Sequence, residues 1–186
     1  MTDNAPYTDE IVDLLVYLGR PSRGTRPSSD LTAAQWMAMR FFARANRASR
    51  TPSAFASFHA TTLGAASQII KSLMLKGFLI RHQSFEDRRS VRFDLTKSGK
   101  FVMRHDPLRD LSEAIERIDG GLCIALRQVL PVLAGELAKI RDTVAVGACG
   151  DRRYFSYGGE ANNCTCVGVE PGPDDLGDHC VNLAAS

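Results

Sequence analysis

Four cysteines near the C-terminal end of the chain have the residue type and number of a metal or cluster ligand set. They follow the pattern Cys-x14-Cys-x-Cys-x13-Cys and are Cys149, Cys164, Cys166 and Cys180. Four thiolates complete the coordination of one iron–sulfur cluster or one structural zinc ion. Structural zinc usually takes Cys-x-x-Cys pairs, which this segment lacks, so an iron–sulfur cluster (2Fe-2S or 4Fe-4S) is favoured and zinc is the alternative. His179 could replace one thiolate.

Other interpretations of these thiols stay open. Residues 147–186 contain seven of the fifteen glycines and have no helix or strand periodicity, so composition alone predicts disorder. In that case the thiols would be free in a loose tail. They could also form a redox switch that oxidises to disulfides, or a zinc staple with no sensing role.

The second chemical feature is a basic block in the middle of the chain. Residues 37–104 contain 13 Lys and Arg against 3 Asp and Glu, whereas both flanking segments are acidic and the whole chain is only +2. A basic block between acidic flanks is typical of a nucleic-acid-binding face. This asymmetry predicts DNA binding by the central part of the chain.

Two groups of side chains within this block could read DNA. A predicted helix over 62–76 exposes four polar residues: Thr62, Ser67, Gln68 and Lys71. Gln pairs bidentately with adenine, and Lys reaches guanine or phosphate. The hydroxyls of Ser and Thr can hydrogen-bond to either base. Arg88 and Arg89 lie in a predicted hairpin tip, and arginine is attracted into the minor groove by its negative potential.

Local signals define the elements that hold these residues. Thr32 and Gln35 form a predicted capping box, and Leu31 with Trp36 fits a hydrophobic staple, so a helix begins after Thr32. Thr51-Pro52 predicts the start of a short helix over about 52–59. Trp36 is expected to pack in the core.

A β-hairpin is predicted to follow the helices. Gly77 ends the helix over 62–76. Strands are predicted over 78–83 and 90–95, the second with alternating apolar residues. Helix, short helix, longer helix and hairpin in this order predict a winged helix-turn-helix, whose longer helix enters the major groove.

Apolar helices are predicted on both sides of this unit, over 7–19, 97–118 and 121–145, with a break at Gly120-Gly121 and a kink or local rearrangement at Pro131. The helix over 121–145 is so apolar that it requires a partner surface, most simply a second copy of the chain. Cys123 belongs to this apolar stripe and is expected to be a small buried hydrophobe.

Three motifs in order resemble the MarR family of bacterial transcription regulators. They are Leu31-Thr-x-x-Gln-Trp, then Ser67-Gln-Ile-Ile-Lys-Ser-Leu-x-x-Lys-Gly-Phe-Leu-Ile-Arg, then Asp87-Arg-Arg-Ser-Val-x-Phe-x-Leu-Thr-x-x-Gly. The resemblance covers about residues 31–100 and implies a mainly α fold with a small β-hairpin wing. This sequence departs from the family at Gly64-Ala65-Ala66, where Ser or Thr is commoner.

The resemblance implies a homodimeric repressor that binds a palindromic operator in double-stranded DNA. Arg88 would be the minor-groove residue and Asp87 the carboxylate that orients the wing. The implied domains are an N-terminal dimerisation helix and loop (1–30), the winged helix (31–100), C-terminal dimerisation helices (101–146) and a cysteine-rich tail (147–186).

Some MarR-like regulators carry a cysteine-rich extension that begins Cys-x-x-Cys-x-x-Phe and implies an iron–sulfur cluster. Here Cys149 and Phe155 match that pattern, Arg152 replaces the second cysteine, and Cys166 would supply the missing ligand.

The function predicted from these features is transcription regulation through DNA binding controlled by the tail's cluster or redox state. The alternative is a repressor released by a small aromatic or phenolic effector, with the tail only a zinc or disulfide staple. No nucleophile–base set or phosphate-binding glycine motif supports an enzyme, so electron transfer is the weakest option. With neither a signal peptide pattern nor about 20 consecutive apolar residues, we expect a cytoplasmic protein with no membrane partner.

Overall fold

The fold was obtained as a computed structural model, which describes residues 5–20, 30–83, 91–143, 145–148, 155–156, 163–164 and 179–183. Its α-helices are α1 (Ala5–Leu18), α2 (Ala33–Arg44), α3 (Pro52–Phe58), α4 (Leu63–Leu75), α5 (Lys97–Val102), α6 (Arg109–Arg117) and α7 (Gly120–Ile140). Its strands are β1 (Leu79–Gln83), β2 (Val91–Leu95), β3 (Ala145–Ala148), β4 (Phe155–Ser156), β5 (Asn163–Cys164) and β6 (His179–Leu183). The mainly α architecture with one β-hairpin wing confirms the predicted fold class.

The helix starts agree with the sequence signals. The Thr32 hydroxyl accepts from the Gln35 amide while the Gln35 side chain accepts from the Thr32 amide, so the capping box is formed. Thr51 caps α3 with Pro52 at its first position, and Thr62 caps α4. These interactions are local, and each satisfies backbone donors that a helix end would otherwise leave unpaired.

One hydrophobic core holds the winged helix together. Its largest fully buried side chains come from α2, α3 and α4: Met39, Phe42, Phe55, Ile70 and Leu73. Trp36 is 2% exposed and belongs to this core, as predicted. Phe93 brings β2 into the same cluster, so the wing is packed onto the helices and not only joined to them by the chain.

The wing strands pair antiparallel, with Leu79 opposite Leu95 and Gln83 opposite Val91. Gly77 has φ +73°, the left-handed conformation that ends α4 and turns the chain into β1. The predicted strands at 78–83 and 90–95 are therefore confirmed to within one residue.

The helical arm that follows differs from the prediction in two places. A single helix over 97–118 is wrong, because it is interrupted at Asp106-Pro107, where proline disfavours helical backbone in the residue before it. The next helix begins at Gly120, capped by Asp119, and ends at Ile140, where Asp142 adopts φ 50°. As predicted, Pro131 lies inside this helix, where it cannot donate a backbone hydrogen bond.

The tail contains short strand pairs, so the absence of regular structure inferred from composition is wrong for its described parts. β3 pairs antiparallel with β6, and β4 pairs with β5. β3 starts at Ala145, inside the segment assigned to the last predicted helix. β6 also lies against α3 and against the 3-10 turn Arg47–Ser49 that precedes it.

Large apolar side chains remain exposed on α1 and α7. On α7 Leu122, Ile124 and Val132 are at least 60% exposed, and on α1 every described position from Tyr7 to Leu18 is exposed. By length and composition alone α7 could also cross a membrane, and only 6% of its most apolar window is buried in the single chain. Cys123 is a free thiol of intermediate burial on this helix, so the single chain does not fully bury it.

Candidate nucleic-acid interface

α4 separates a buried face from an exposed face. Ala66, Ile70 and Leu73 are buried in the core at helical spacing, which fixes the rotation of the helix. The opposite face is exposed and carries all four residues predicted to face DNA: Thr62, Ser67, Gln68 and Lys71. The structure therefore brings the predicted helix residues together on one outer surface.

Their hydrogen bonds divide these four residues into two pairs. The Thr62 hydroxyl accepts from the Ala65 amide at 3.1 Å, and the Ser67 hydroxyl donates to the Leu63 carbonyl at 2.8 Å, so both are engaged by their own helix. Within the described part of the chain, Gln68 and Lys71 make no side-chain hydrogen bond or ion pair. Their polar ends remain available for a ligand.

Contacts from α2 and the preceding loop fix α4 along its axis. The Gln35 side-chain amide donates to the Ser72 hydroxyl at 2.8 Å, and the Lys76 ammonium donates to the Asp30 carbonyl. Gln35 thus serves both its own capping box and the packing of α4. These bonds hold the exposed face of α4 at a defined position relative to the rest of the domain.

The Leu95-Thr96-x-x-Gly99 motif closes the base of the wing. Thr96 caps α5 by accepting from the Gly99 amide, and its hydroxyl donates to the Gly77 carbonyl at 2.6 Å. A side chain at Gly99 would overlap the Phe78 carbonyl oxygen, so the close approach of α5 to the residue before β1 requires glycine there. The motif therefore joins the end of α4, the wing and the helical arm.

An ion pair that was not predicted from the sequence anchors β2, the second strand of the wing. Arg50 donates to the Asp94 carboxylate at 2.6 Å and to the Ala45 carbonyl at 2.9 Å, and its own carbonyl accepts from the Phe93 amide. His82 Nε2 lies 3.5 Å from the same carboxylate. Asp94 stands at a polar position of an alternating strand, which indicates that it could have a partner. Its partner, Arg50, is 44 residues away in the sequence.

The wing tip carries the remaining predicted DNA contacts. Asp87, Arg88 and Arg89 lie outside the described residues, which resume at Val91. The two strands on either side of these residues are described, and both carry basic side chains. Exposed Arg81 and His82 lie on β1, and half-buried Arg92 is opposite His82 on β2.

His59 is enclosed by aromatic rings beneath this surface. The ring centroids of Phe55 and Phe58 lie 4.9 and 4.8 Å from its own, and that of Phe41 lies 6.2 Å away. Burial is the main cause that lowers the pKa of His59 to about 4, opposed by a hydrogen bond with the Met37 backbone and reinforced by nearby Arg40. Its Nε2 has no hydrogen-bond partner among the described residues.

A cavity of about 500 Å³ opens between α2, the base of the wing and α5. Its lining is mixed: Phe42, Ala43, Arg50, Asp94, Leu95, Lys100 and Met103. Since Arg50 is already paired with Asp94, Lys100 is the cation best placed to meet an added anion there.

The predicted cysteine ligands are only partly described. Cys180 lies in β6 opposite Gly147, and Cys164 lies in β5 opposite Phe155. Cys149 and Cys166 lie outside the described residues, although Ala148, which precedes Cys149 in the sequence, is paired with His179 beside Cys180. Among described residues no group of three or more His, Cys, Asp or Glu side chains forms a metal site.

Solved structures with the same fold include members of the MarR family, whereas no family model and no curated protein matches the sequence. A MarR family protein from Bacillus stearothermophilus is 16% identical and superposes with TM-score 0.54 over 73% of this chain and 98% of that one. The apo form of MarR from E. coli is 21% identical, with TM-score 0.52 over 70% and 98%. A MarR transcriptional regulator from Methanosarcina mazei Go1 is 20% identical, with TM-score 0.53 over 71% and 99%. At these identities the likeness establishes the fold.

Proposed function

We propose that this protein is a cytoplasmic, sequence-specific DNA-binding regulator of transcription, most simply a repressor, and not an enzyme. The observation that carries the proposal is the exposed face of α4, on which Gln68 and Lys71 have no partner among the described residues, inside a domain whose fold matches MarR regulators. Base-reading helices in winged helix-turn-helix domains use this type of face. The concentration of basic residues in 37–104 supports it.

The test is binding of the purified full chain to duplexes selected from a random library. We expect Lys71→Ala to weaken binding of all sequences and to reduce the salt slope by about one, because a phosphate contact releases counterions. Arg88→Ala should weaken binding strongly. Arg117→Ala, an exposed position on α6, is the matched control and should bind like the parent. Failure of the parent protein to enrich any sequence would overturn the proposal.

The functional unit is proposed to be a homodimer assembled through α1 and α7. The apolar faces of both helices are exposed in the single chain, and burying them against a second copy removes that surface from water. Two symmetric copies would match a palindromic operator in double-stranded DNA. Sedimentation should give twice the 20.3 kDa chain mass at micromolar concentration. A monomer, or a protein that pellets with vesicles through α7, would contradict the dimer.

The cysteine tail is proposed to control DNA affinity by holding an iron–sulfur cluster, or zinc in its place. Support comes from the donor set of four thiols and from the position of β6. This strand carries Cys180 and lies against α3 and the turn Arg47–Ser49, which belong to the DNA-binding domain. A change at the thiols would therefore reach the helices that position α4.

A second mode of control is favoured by the cavity lined by Lys100. A small aromatic acid or phenol could place its ring against Phe42 and Met103 and its anionic oxygen near Lys100. Release of DNA by such a compound, lost in Lys100→Ala and unchanged by oxidation, would select this mode. Release that depends on the state of the thiols would select the tail instead.

A further inference from the structure

The first turn of α4 is apolar on its exposed side. Leu63, the first helical residue, is 57% exposed, and Gly64 and Ala65 beside it are also exposed. The two hydroxyls in this region, of Thr62 and Ser67, are engaged with the helix backbone. The end of the helix that would enter the groove first therefore presents methyl groups more than free hydrogen-bonding groups.

Gly64 gives this turn a low profile. A side chain at Gly64 would meet only the Thr62 hydroxyl, at 3.9 Å, so no packing within the described chain requires glycine there. Gln68 lies four residues further, on the same face and one turn along. The missing side chain leaves space for a base edge beside the Gln68 amide, and Leu63 is exposed at the start of the helix.

Major-groove chemistry identifies what this surface fits. The C5 methyl of thymine is the apolar group that the base pairs present there, and apolar side chains read it by contact. Gln pairs bidentately with N6 and N7 of adenine. We propose that Leu63 is a specificity-determining residue that reads a thymine methyl, with Gln68 reading an adenine, so that each operator half-site has A·T pairs beneath the start of α4.

The inference rests on the proposed DNA-binding function. Burying one methyl group against an aliphatic side chain changes affinity about fourfold. After an operator is selected, each thymine is replaced singly by deoxyuridine, which removes only the methyl. One position per half-site should then cost the parent protein about fourfold, and Leu63→Ala should bind both forms equally. The Leu63→Ala and thymine-to-uracil replacements form a double-mutant cycle. In this cycle, the loss of the uracil penalty measures the contact between Leu63 and the thymine methyl.

Leu75→Ala is the matched control, because Leu75 is the last residue of the same helix and is 81% exposed. It should keep the uracil sensitivity of the parent. Unchanged circular dichroism of Leu63→Ala shows that a loss of sensitivity does not come from misfolding. An enriched operator whose uracil penalties are the same in Leu63→Ala and the parent overturns the inference while DNA binding stands. If no operator is enriched, the proposed function itself fails.

Discussion

Arg40 and Asp106 join the winged helix to the helical arm through a half-buried ion pair. The Arg40 Nε lies 2.8 Å from both carboxylate oxygens of Asp106, and its Nη2 lies 2.5 Å from Oδ1. The two side chains are only 13% and 16% exposed. Asp106 also accepts from the Leu108 amide at the turn where the arm changes direction. One carboxylate thus fixes both the turn and its attachment to α2.

Asp106→Asn should lower the free energy of unfolding by about 2 kcal/mol, because the charged hydrogen bonds are lost and Arg40 stays partly buried. The matched control is Glu113→Gln, which breaks the exposed pair of Glu113 with Arg109 and should cost about 0.5 kcal/mol or less. Urea unfolding at pH 7 measures both variants. Equal costs would show that the Arg40–Asp106 pair is no stronger than a surface pair.

Gly99→Ala should destabilise the fold by about 1–3 kcal/mol, since the added methyl meets the Phe78 carbonyl and α5 must move away from the wing. Gly120→Ala is the comparison, because nothing lies within 4 Å of its added carbon and alanine favours helix. The thermal unfolding midpoint of Gly99→Ala should fall, whereas that of Gly120→Ala should rise or stay unchanged. A Gly99→Ala protein as stable as the parent would contradict the close approach.

The pKa of His59 predicts how stability changes with pH. Its folded pKa of about 4 lies below the ordinary 6.5, so the unfolded chain takes up this proton first as the pH falls. The contribution of neutral His59 is complete above pH 6.5 and decreases between about pH 6.5 and 4. His59→Gln has no proton to gain and should show a shallower loss of stability over that window. Parallel pH profiles of the two proteins, from denaturant midpoints, would contradict the lowered pKa.

The elements that the sequence predicted well are those set by neighbouring residues. Thr32 with Gln35, Thr51-Pro52 and Gly77 act within one or two turns, so their residue types identify the helix ends. The pairs that fix the domain geometry join distant segments instead: Arg50 and Asp94 are 44 residues apart, and Arg40 and Asp106 are 66 apart. No local pattern specifies which distant charge each will meet.

The disorder predicted from the tail's composition differs from the structure for a related physical reason. Glycine-rich composition predicts little regular structure because such segments bury little apolar surface on their own. β3 and β6 are nevertheless paired, and β6 lies against α3 and the turn before it. Strand pairing between segments more than 30 residues apart depends on the folded domain that they rest on, and composition carries no information about that support.

Cys164→Ala tests the proposed ligand set of the tail against a thiol elsewhere in the same chain. Anaerobically purified parent protein should be coloured and contain iron and sulfide in comparable amounts. Cys164→Ala should lose the cofactor, because a four-thiolate site with one ligand missing holds its metal weakly. It should keep its folded winged helix, since the buried core of that domain is built by α2, α3, α4 and the wing. Cys123→Ala, in α7, removes a free thiol from the apolar stripe and should retain full metal content. A colourless protein that contains zinc would contradict the iron–sulfur proposal. Full metal content in Cys164→Ala would show that the proposed ligand set is wrong.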